Sequence, residues 1–256
     1  MENQNSNLAL FSQKFVIRPH EVDARHYLLP RYMMWILQEA AVNHIESLHT
    51  GYDDLIKDNL AWALAGFKVE INQMPMWKDE ITVKTWGKSA SGIFTYRDFE
   101  VTTAGSNIPL IKATSNWFIM DLNLRRPVRV EPYANILYAT DAISYPLKKS
   151  SMPDPASLGP STMVANPKVC YEDLDHNQHA NNVHYIRYMF NSLNDDFKAS
   201  HILSEFEIYF THELSCKDEA ISSSWNIENS LTKFFHALSH PKGGLAAIAK
   251  TSWKAL

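Results

Sequence analysis

A long internal repeat constrains this chain more than any other feature. His20-Glu21-Val22-Asp23 stands before Arg31-Tyr32-Met33-Met34-Trp35-Ile36-Leu37 in the first half, and Tyr171-Glu172-Asp173-Leu174-Asp175 stands before His184-Tyr185-Ile186-Arg187-Tyr188-Met189-Phe190 in the second. Each half therefore opens with an acidic strand end and then a segment of helical periodicity. Each also closes on a hairpin signal: Gly105-Ser106-Asn107 leads to Ala113-Thr114-Ser115-Asn116-Trp117, and Pro241-Lys242-Gly243-Gly244 leads to Ala249-Lys250-Thr251-Ser252-Trp253. A repeat this long means duplicated domains and not a solenoid.

Between these landmarks the periodicity predicts a short strand at 16–17, a helix over 29–47 and strands over 62–71, 80–86, 93–101 and 110–120. From 122 to 160 the periodicity is lost and Pro127, Pro132, Pro146, Pro153, Pro155 and Pro160 interrupt the chain. The second half repeats the plan, with a strand over 163–170, a helix over 181–194 and strands over 205–211, 220–225, 232–239 and 245–253. A helix followed by a run of antiparallel strands, twice, is an α+β pattern. The boundaries drawn are 1–125 for the first copy, 126–160 for a linker and 161–256 for the second copy.

Composition excludes several classes of function. A chain of 256 residues, 45% hydrophobic and 20% charged, can bury a sizeable core and is not disordered. No apolar run reaches the roughly 18 residues that a membrane-spanning helix needs. A net charge of -4 argues against general nucleic-acid binding. Cys170 and Cys216 are too few and too far apart for a disulfide framework or a zinc pair, so reduced thiols are expected. The start Met1-Glu2-Asn3-Gln4-Asn5-Ser6 has no basic region or apolar core of an export signal, which points to the cytoplasm.

The chemistry concentrates in Asp175-His176-Asn177-Gln178-His179, just before the second helix. Asp175, Asn177 and His179 alternate, and alternation in an extended or turning segment points side chains one way. The helix start adds backbone N–H donors and a positive dipole end. A base, a positioning amide and an oxyanion site in one place suit an ester or thioester hydrolase. An unperturbed imidazole titrates near neutral pH, which makes His179 the candidate base or proton carrier. Asn177 would hold the water or the carbonyl, and Asp175 would hold Asn177 or act on the substrate itself. Asn181 and Asn182 read as helix caps. His176 and His179 with Asp173 and Asp175 are ligand-like in type, but histidines three apart need a helix to converge, so no metal and no cofactor is expected.

These strings also carry a family resemblance. Asp173-Leu174-Asp175-x-Asn177-x-His179-x-Asn181-Asn182-Val183, preceded in order by Gln38-Glu39-Ala40-Ala41-Val42-Asn43-His44, Asn59-Leu60-Ala61-Trp62, Thr85-Trp86-Gly87-Lys88-Ser89-Ala90-Ser91-Gly92 and Asn116-Trp117-Phe118-Ile119-Met120 with Arg125-Arg126, resembles the acyl-acyl-carrier-protein thioesterases of plastids and bacteria over about residues 11 to 256. The resemblance implies a tandem (double) hotdog, two copies of a long helix wrapped by an antiparallel sheet. It implies hydrolysis of fatty acyl-acyl carrier protein, with acyl carrier protein as partner and a homodimer left open. A coenzyme A thioesterase and a hotdog protein that only binds lipid are the alternatives.

The resemblance also implies a fourth catalytic residue on the following strand, a place taken by Glu213 in Tyr209-Phe210-Thr211-His212-Glu213-Leu214. Plant members have a cysteine next to this glutamate, and Leu214 stands here instead. Cys216, three residues on, would point to the other face of a regular strand. Registering the two copies by their helices puts His26 opposite His179 and Ala24 opposite Asn177, so the first copy is expected to be a pocket without chemistry. Met33, Met34, Trp35, Trp62, Leu64 and Phe67 would line it. Acyl carrier protein being acidic, a basic patch is expected among Arg125, Arg126, Arg129, Lys148, Lys149, Arg187 and Lys88.

Overall fold

The computed structural model describes residues 9–106, 108–130, 151–161 and 163–256. Most of the expected linker, with Lys148 and Lys149, lies outside the described residues, as do the N-terminal segment and Asn107 of the first hairpin signal. The chain divides into two compact units, Met1–Leu147 and Lys148–Leu256.

In the first unit the strands β1 (Leu10–Val16), β2 (Leu60–Ile71), β3 (Glu80–Ser91), β4 (Phe94–Thr103) and β5 (Ile111–Asp121) accompany a long helix, α1 (Pro30–Ser47), and a short one, α2 (Tyr52–Leu55). The sheet is antiparallel in the order β1-β3-β4-β5-β2. A further strand, β6 (Arg126–Val128), pairs with β5. Pro30 starts α1, where its missing N–H is no loss. Met33, Met34, Ile36, Leu37, Ala40, Ala41 and His44 recur at helical spacing and form its buried face. Strand β1 is longer than the two residues expected. Ser12 and Lys14 face outward while Gln13 turns inward to accept from Asn43 Nδ2 of α1 at 2.8 Å, so polar residues hide an edge strand.

The second unit repeats the plan with β7 (Met163–Ala165), α3 (Asn182–Phe190), α4 (Asp195–Ser200), β8 (His201–Phe210), β9 (Ser222–Asn226), β10 (Lys233–Ser239) and β11 (Leu245–Ala255), in the sheet order β8-β11-β10-β9-β7. Its main helix stops at Phe190, short of the expected 194. Ser192 Oγ donates to Met189 O at 2.7 Å, and Asn194 caps a new helix by accepting the Asp196 N–H at 2.7 Å. From that helix end a polar chain runs into the interior. Ser192 Oγ lies 2.6 Å from Ser224 Oγ, which lies 2.6 Å from His236 Nδ1, and His236 Nε2 lies 2.9 Å from Thr251 Oγ1. Burial pulls His236 down to about 3, so the imidazole is neutral at ordinary pH and its two nitrogens are matched by hydroxyls.

Candidate active site

The motif is a tight hairpin, the turning form of the segment and not the extended one. Leu174 and Ala180 pair as an isolated bridge, the Asp175 N–H donates to His179 O at 2.9 Å, and the Gln178 N–H donates to Asp175 O at 3.0 Å. Gln178 takes the left-handed conformation, φ 64°, which lets the chain reverse in so few residues. Asp175 Oδ1 accepts the Asn177 backbone N–H at 2.8 Å, the side-chain bond of an Asx turn. Asp175 thus holds Asn177 through its backbone and fixes the turn. Asn177 sits exposed at the tip, and His179 lies half-buried on the returning limb.

That limb docks on the segment after β8. The Ala180 N–H donates to Leu214 O at 2.7 Å, and His179 bridges to Ser215. This brings His179 Nδ1 within 3.3 Å of Glu213 Oε2, with the two side chains 32% and 45% exposed. Glu213 is not on a strand as expected, because β8 ends at Phe210. The chain after it turns at 215–218, with Lys217 at φ 72° and the Ser215 N–H donating to Asp218 Oδ2 at 2.8 Å. Cys216 stands in that turn, so strand alternation does not decide where it points. Of the four expected residues, then, His179 and Glu213 meet by side chain, and Asp175 and Asn177 share the hairpin tip.

The helix start is less open than expected. Asn181 caps α3, its Oδ1 accepting the Val183 N–H at 3.1 Å and its carbonyl accepting the His184 N–H at 2.9 Å. Those donors are spent on the cap, so the first turn is not a ready-made set of oxyanion donors.

Two residues stand behind the pair: Asp173, weighed from the sequence only as a ligand type, and Tyr185, given no role there. Asp173 is 4% exposed and accepts from Tyr188 Oη at 2.7 Å, from the Cys170 N–H at 3.0 Å and from Arg187 Nη2 at 2.5 Å, while His184 Nδ1 lies 3.4 Å away. Burial pushes its carboxyl up, but the Tyr188 and Cys170 hydrogen bonds and the charges of Arg187 and His184 together hold it below the usual carboxylate range. It ties α3 to the hairpin. Tyr185, 2% exposed, accepts the Leu214 N–H at 2.8 Å and donates to His212 O at 3.2 Å, one bond on each side of Glu213. The Tyr185 contacts and the Arg187 and Tyr188 contacts of Asp173 join residues distant in sequence, which local spacing does not reveal.

The first unit contains the same hairpin, and it corrects the register expected between the copies. The Asp23 N–H donates to Tyr27 O, the His26 N–H to Asp23 O, the Leu28 N–H to Pro75 O and the Leu29 N–H to Glu21 O, each at 2.8 to 2.9 Å. Asp23 Oδ1 accepts the Arg25 N–H at 2.8 Å as Asp175 accepts from Asn177, and His26 takes the left-handed place of Gln178 with φ 69°. His26 therefore matches Gln178 and not His179. Arg25 matches Asn177, Tyr27 matches His179, and Met74 matches Glu213. The helix-based register slipped by one residue, because the turn position is marked by conformation and not by residue type.

Of the residues expected to line an apolar pocket in this unit, Met33, Met34, Leu64 and Phe67 are buried, whereas Trp35 is exposed and Trp62 donates its indole N–H to Thr50 O at 2.9 Å. Among the basic candidates, Arg187 is engaged with Asp173 and Lys88 lies 3.8 Å from Asp98, while Arg125, Arg126 and Arg129 are exposed.

The Acyl-ACP thioesterase N-terminal domain matches residues 9–137 and the Acyl-ACP thioesterase C-terminal domain matches residues 161–255. An oleoyl-acyl carrier protein thioesterase of Arabidopsis thaliana chloroplasts is 27% identical over 84% of this chain and 62% of its own length, and a palmitoyl-acyl carrier protein thioesterase of Gossypium hirsutum is 29% identical over 88% and 56%. The chain spans less than two thirds of the length of these curated relatives. Crystal structures of an acyl-ACP thioesterase from Bacteroides thetaiotaomicron (TM-score 0.86, 23% identity, 98% of this chain and 99% of that one) and of a 12:0-ACP thioesterase from Umbellularia californica (TM-score 0.78, 22% identity, 97% and 98%) share the fold, a tandem hotdog of α+β type. With both domains of one family matched in order, the chain belongs to the acyl-ACP thioesterase family.

Proposed function

We propose that this chain hydrolyses the thioester of fatty acyl-acyl carrier protein to free fatty acid and the carrier thiol. The observation that carries the reading is the 3.3 Å approach of His179 Nδ1 to Glu213 Oε2 in the second unit. A carboxylate at Nδ1 favours the tautomer with its proton there, which leaves the Nε2 lone pair as general base and supports the imidazolium once it forms. Water attacks the thioester carbon and gives its proton to Nε2. The carbonyl electrons move onto oxygen, where the exposed Asn177 amide can donate. The C–S bond then breaks, and the imidazolium returns the proton to the departing sulfur. Asp175, whose oxygen already accepts the Asn177 N–H, serves as holder of the turn and not as the nucleophile.

Acyl carrier protein is the partner in this reading, with the exposed Arg125, Arg126 and Arg129 as its candidate contacts. The buried apolar residues of the first unit, which lacks the His–Glu pair, suit it to the acyl tail. A cytoplasmic location fits the two free cysteines. The test is turnover on acyl-carrier-protein and coenzyme A thioesters by the wild type and by His179→Ala, Glu213→Gln and Asn177→Ala. Each variant is expected to keep its fold and lose about two orders of magnitude in kcat, in line with acid–base or positioning loss. Near-normal rates in all three would overturn the site, faster turnover of coenzyme A esters would overturn the carrier, and no hydrolysis by the wild type would leave only lipid binding.

A further inference from the structure

The Glu213 carboxylate has no regular strand to fix its direction. It lies beyond the end of β8, and the segment that holds it owes its conformation to specific contacts. One of these comes from inside the unit. Tyr185 projects from α3, packs its ring edge-on against Phe210 at 5.4 Å, and places its hydroxyl between His212 O and the Leu214 N–H, at 3.2 and 2.8 Å. The hydroxyl satisfies one carbonyl and one amide that flank Glu213 and that no ladder satisfies.

We propose that Tyr185 is a positioning residue for Glu213, its hydroxyl clamping the backbone on both sides of the carboxylate and so setting its contact with His179. This rests on the reading of the His179–Glu213 pair above. The first unit is an internal control. By the matched hairpins, Met33 occupies the place of Tyr185, Met74 the place of Glu213, and Pro75 the place of Leu214. Where the carboxylate is missing, the hydroxyl is missing too, and the proline has no N–H to clamp. Burial pushes the Tyr185 hydroxyl well above its ordinary value, so it stays protonated and can donate and accept together.

The test is a double-mutant cycle on the full chain with an acyl-carrier-protein substrate. Tyr185→Phe is expected to lower kcat by about 10- to 100-fold, as small misplacements of a reacting group do, with KM within about threefold. In the Glu213→Gln background the same change should lower kcat by less than about twofold, because residues that act through one another are not additive. Tyr209→Phe, which removes a buried hydroxyl bonded to Glu207 Oε1 at 2.6 Å in the same unit, should leave kcat near the wild type although it also costs stability. Tyr185→Met, the residue of the first copy, serves where the phenylalanine ring loses its seat. If Glu213→Gln is inactive while Tyr185→Phe turns over normally, or if Tyr185→Phe costs the same factor in both backgrounds, the tyrosine does not act through Glu213. If Glu213→Gln itself is fully active, the pair is not catalytic and the tyrosine proposal falls with it.

Discussion

Replacing Asp173 by Asn should destabilise the second unit by about 3 kcal/mol at neutral pH. Three donors converge on this carboxylate, from Tyr188, the Cys170 backbone and Arg187. An asparagine offers one oxygen in place of two, and its NH2 meets a donor wherever the second oxygen was. Breaking a buried ion pair from one side costs about 3 to 5 kcal/mol. The Arg187 side chain is 36% exposed, so water recovers part of its solvation and the lower end of that range applies. With a urea slope of about 2 kcal/mol per M, the midpoint should fall by about 1.5 M.

The first unit supplies the control. Glu21 accepts the Arg18 N–H at 2.7 Å as Asp173 accepts from Cys170, but by the matched hairpins Trp35 and Ile36 stand where Arg187 and Tyr188 do. Glu21→Gln should therefore cost less, about 1 kcal/mol, the worth of a typical hydrogen bond. The pH dependence gives a second check. The folded carboxyl of Asp173 lies below its unfolded value, so its contribution is complete above about pH 4 and is lost as the pH falls through the folded value. The gap between wild type and Asp173→Asn should narrow below pH 4. A variant within about 1 kcal/mol of wild type, or a gap constant from pH 7 to strongly acid solution, would refute the ion-pair account.

His236 predicts acid sensitivity over a different window. The unfolded imidazole takes a proton near 6.5 while the folded one resists until about 3, so stability should fall as the pH drops between those values. His236→Asn should flatten that slope in urea midpoints measured against pH, and an unchanged slope would place the acid sensitivity elsewhere. The double variant Cys170→Ser with Cys216→Ser should retain hydrolysis and resist thiol-blocking reagents, since Leu214 stands beside Glu213 and the proposed chemistry uses no thiol. Loss of turnover there would restore a thiol mechanism.

Helices and inner strands could be read from periodicity because burial imposes it. Helix α1 and strands β2 to β5 lie within a few residues of expectation at most ends, and strand β3 continues past Trp86 to the tight turn at Gly92, φ 63°. What escaped was whatever depends on partners distant in the chain. Strand β1 is mostly polar in its middle, and only its ladder with β3 makes it a strand. The break after Phe190 comes from Ser192 and Asn194 folding back on local backbone, a competition that helical periodicity does not register. At the candidate site the sequence offered residues, and their arrangement came only from the structure. His26 and Gln178 hold a left-handed turn without being glycine or asparagine, so residue type did not mark where the chain reverses.

The two copies separate scaffold from chemistry. Their hairpins share the same backbone bonds, the same Asx turn and a left-handed residue at the same place, so these features do not distinguish the copies. What differs is the side chains that the shared backbone presents: Asn177, His179 and Glu213 in the second copy against Arg25, Tyr27 and Met74 in the first, with Asp173, Tyr185, Arg187 and Tyr188 behind them against Glu21, Met33, Trp35 and Ile36. Restoring a histidine at Tyr27 would place a ring opposite Met74, with no carboxylate to choose its tautomer and with Pro75 closing the backbone where a clamp would bind. In the proposed reaction the site depends on the residues that hold the reacting groups as much as on the groups themselves, and both sets differ between the copies at matched positions of one fold.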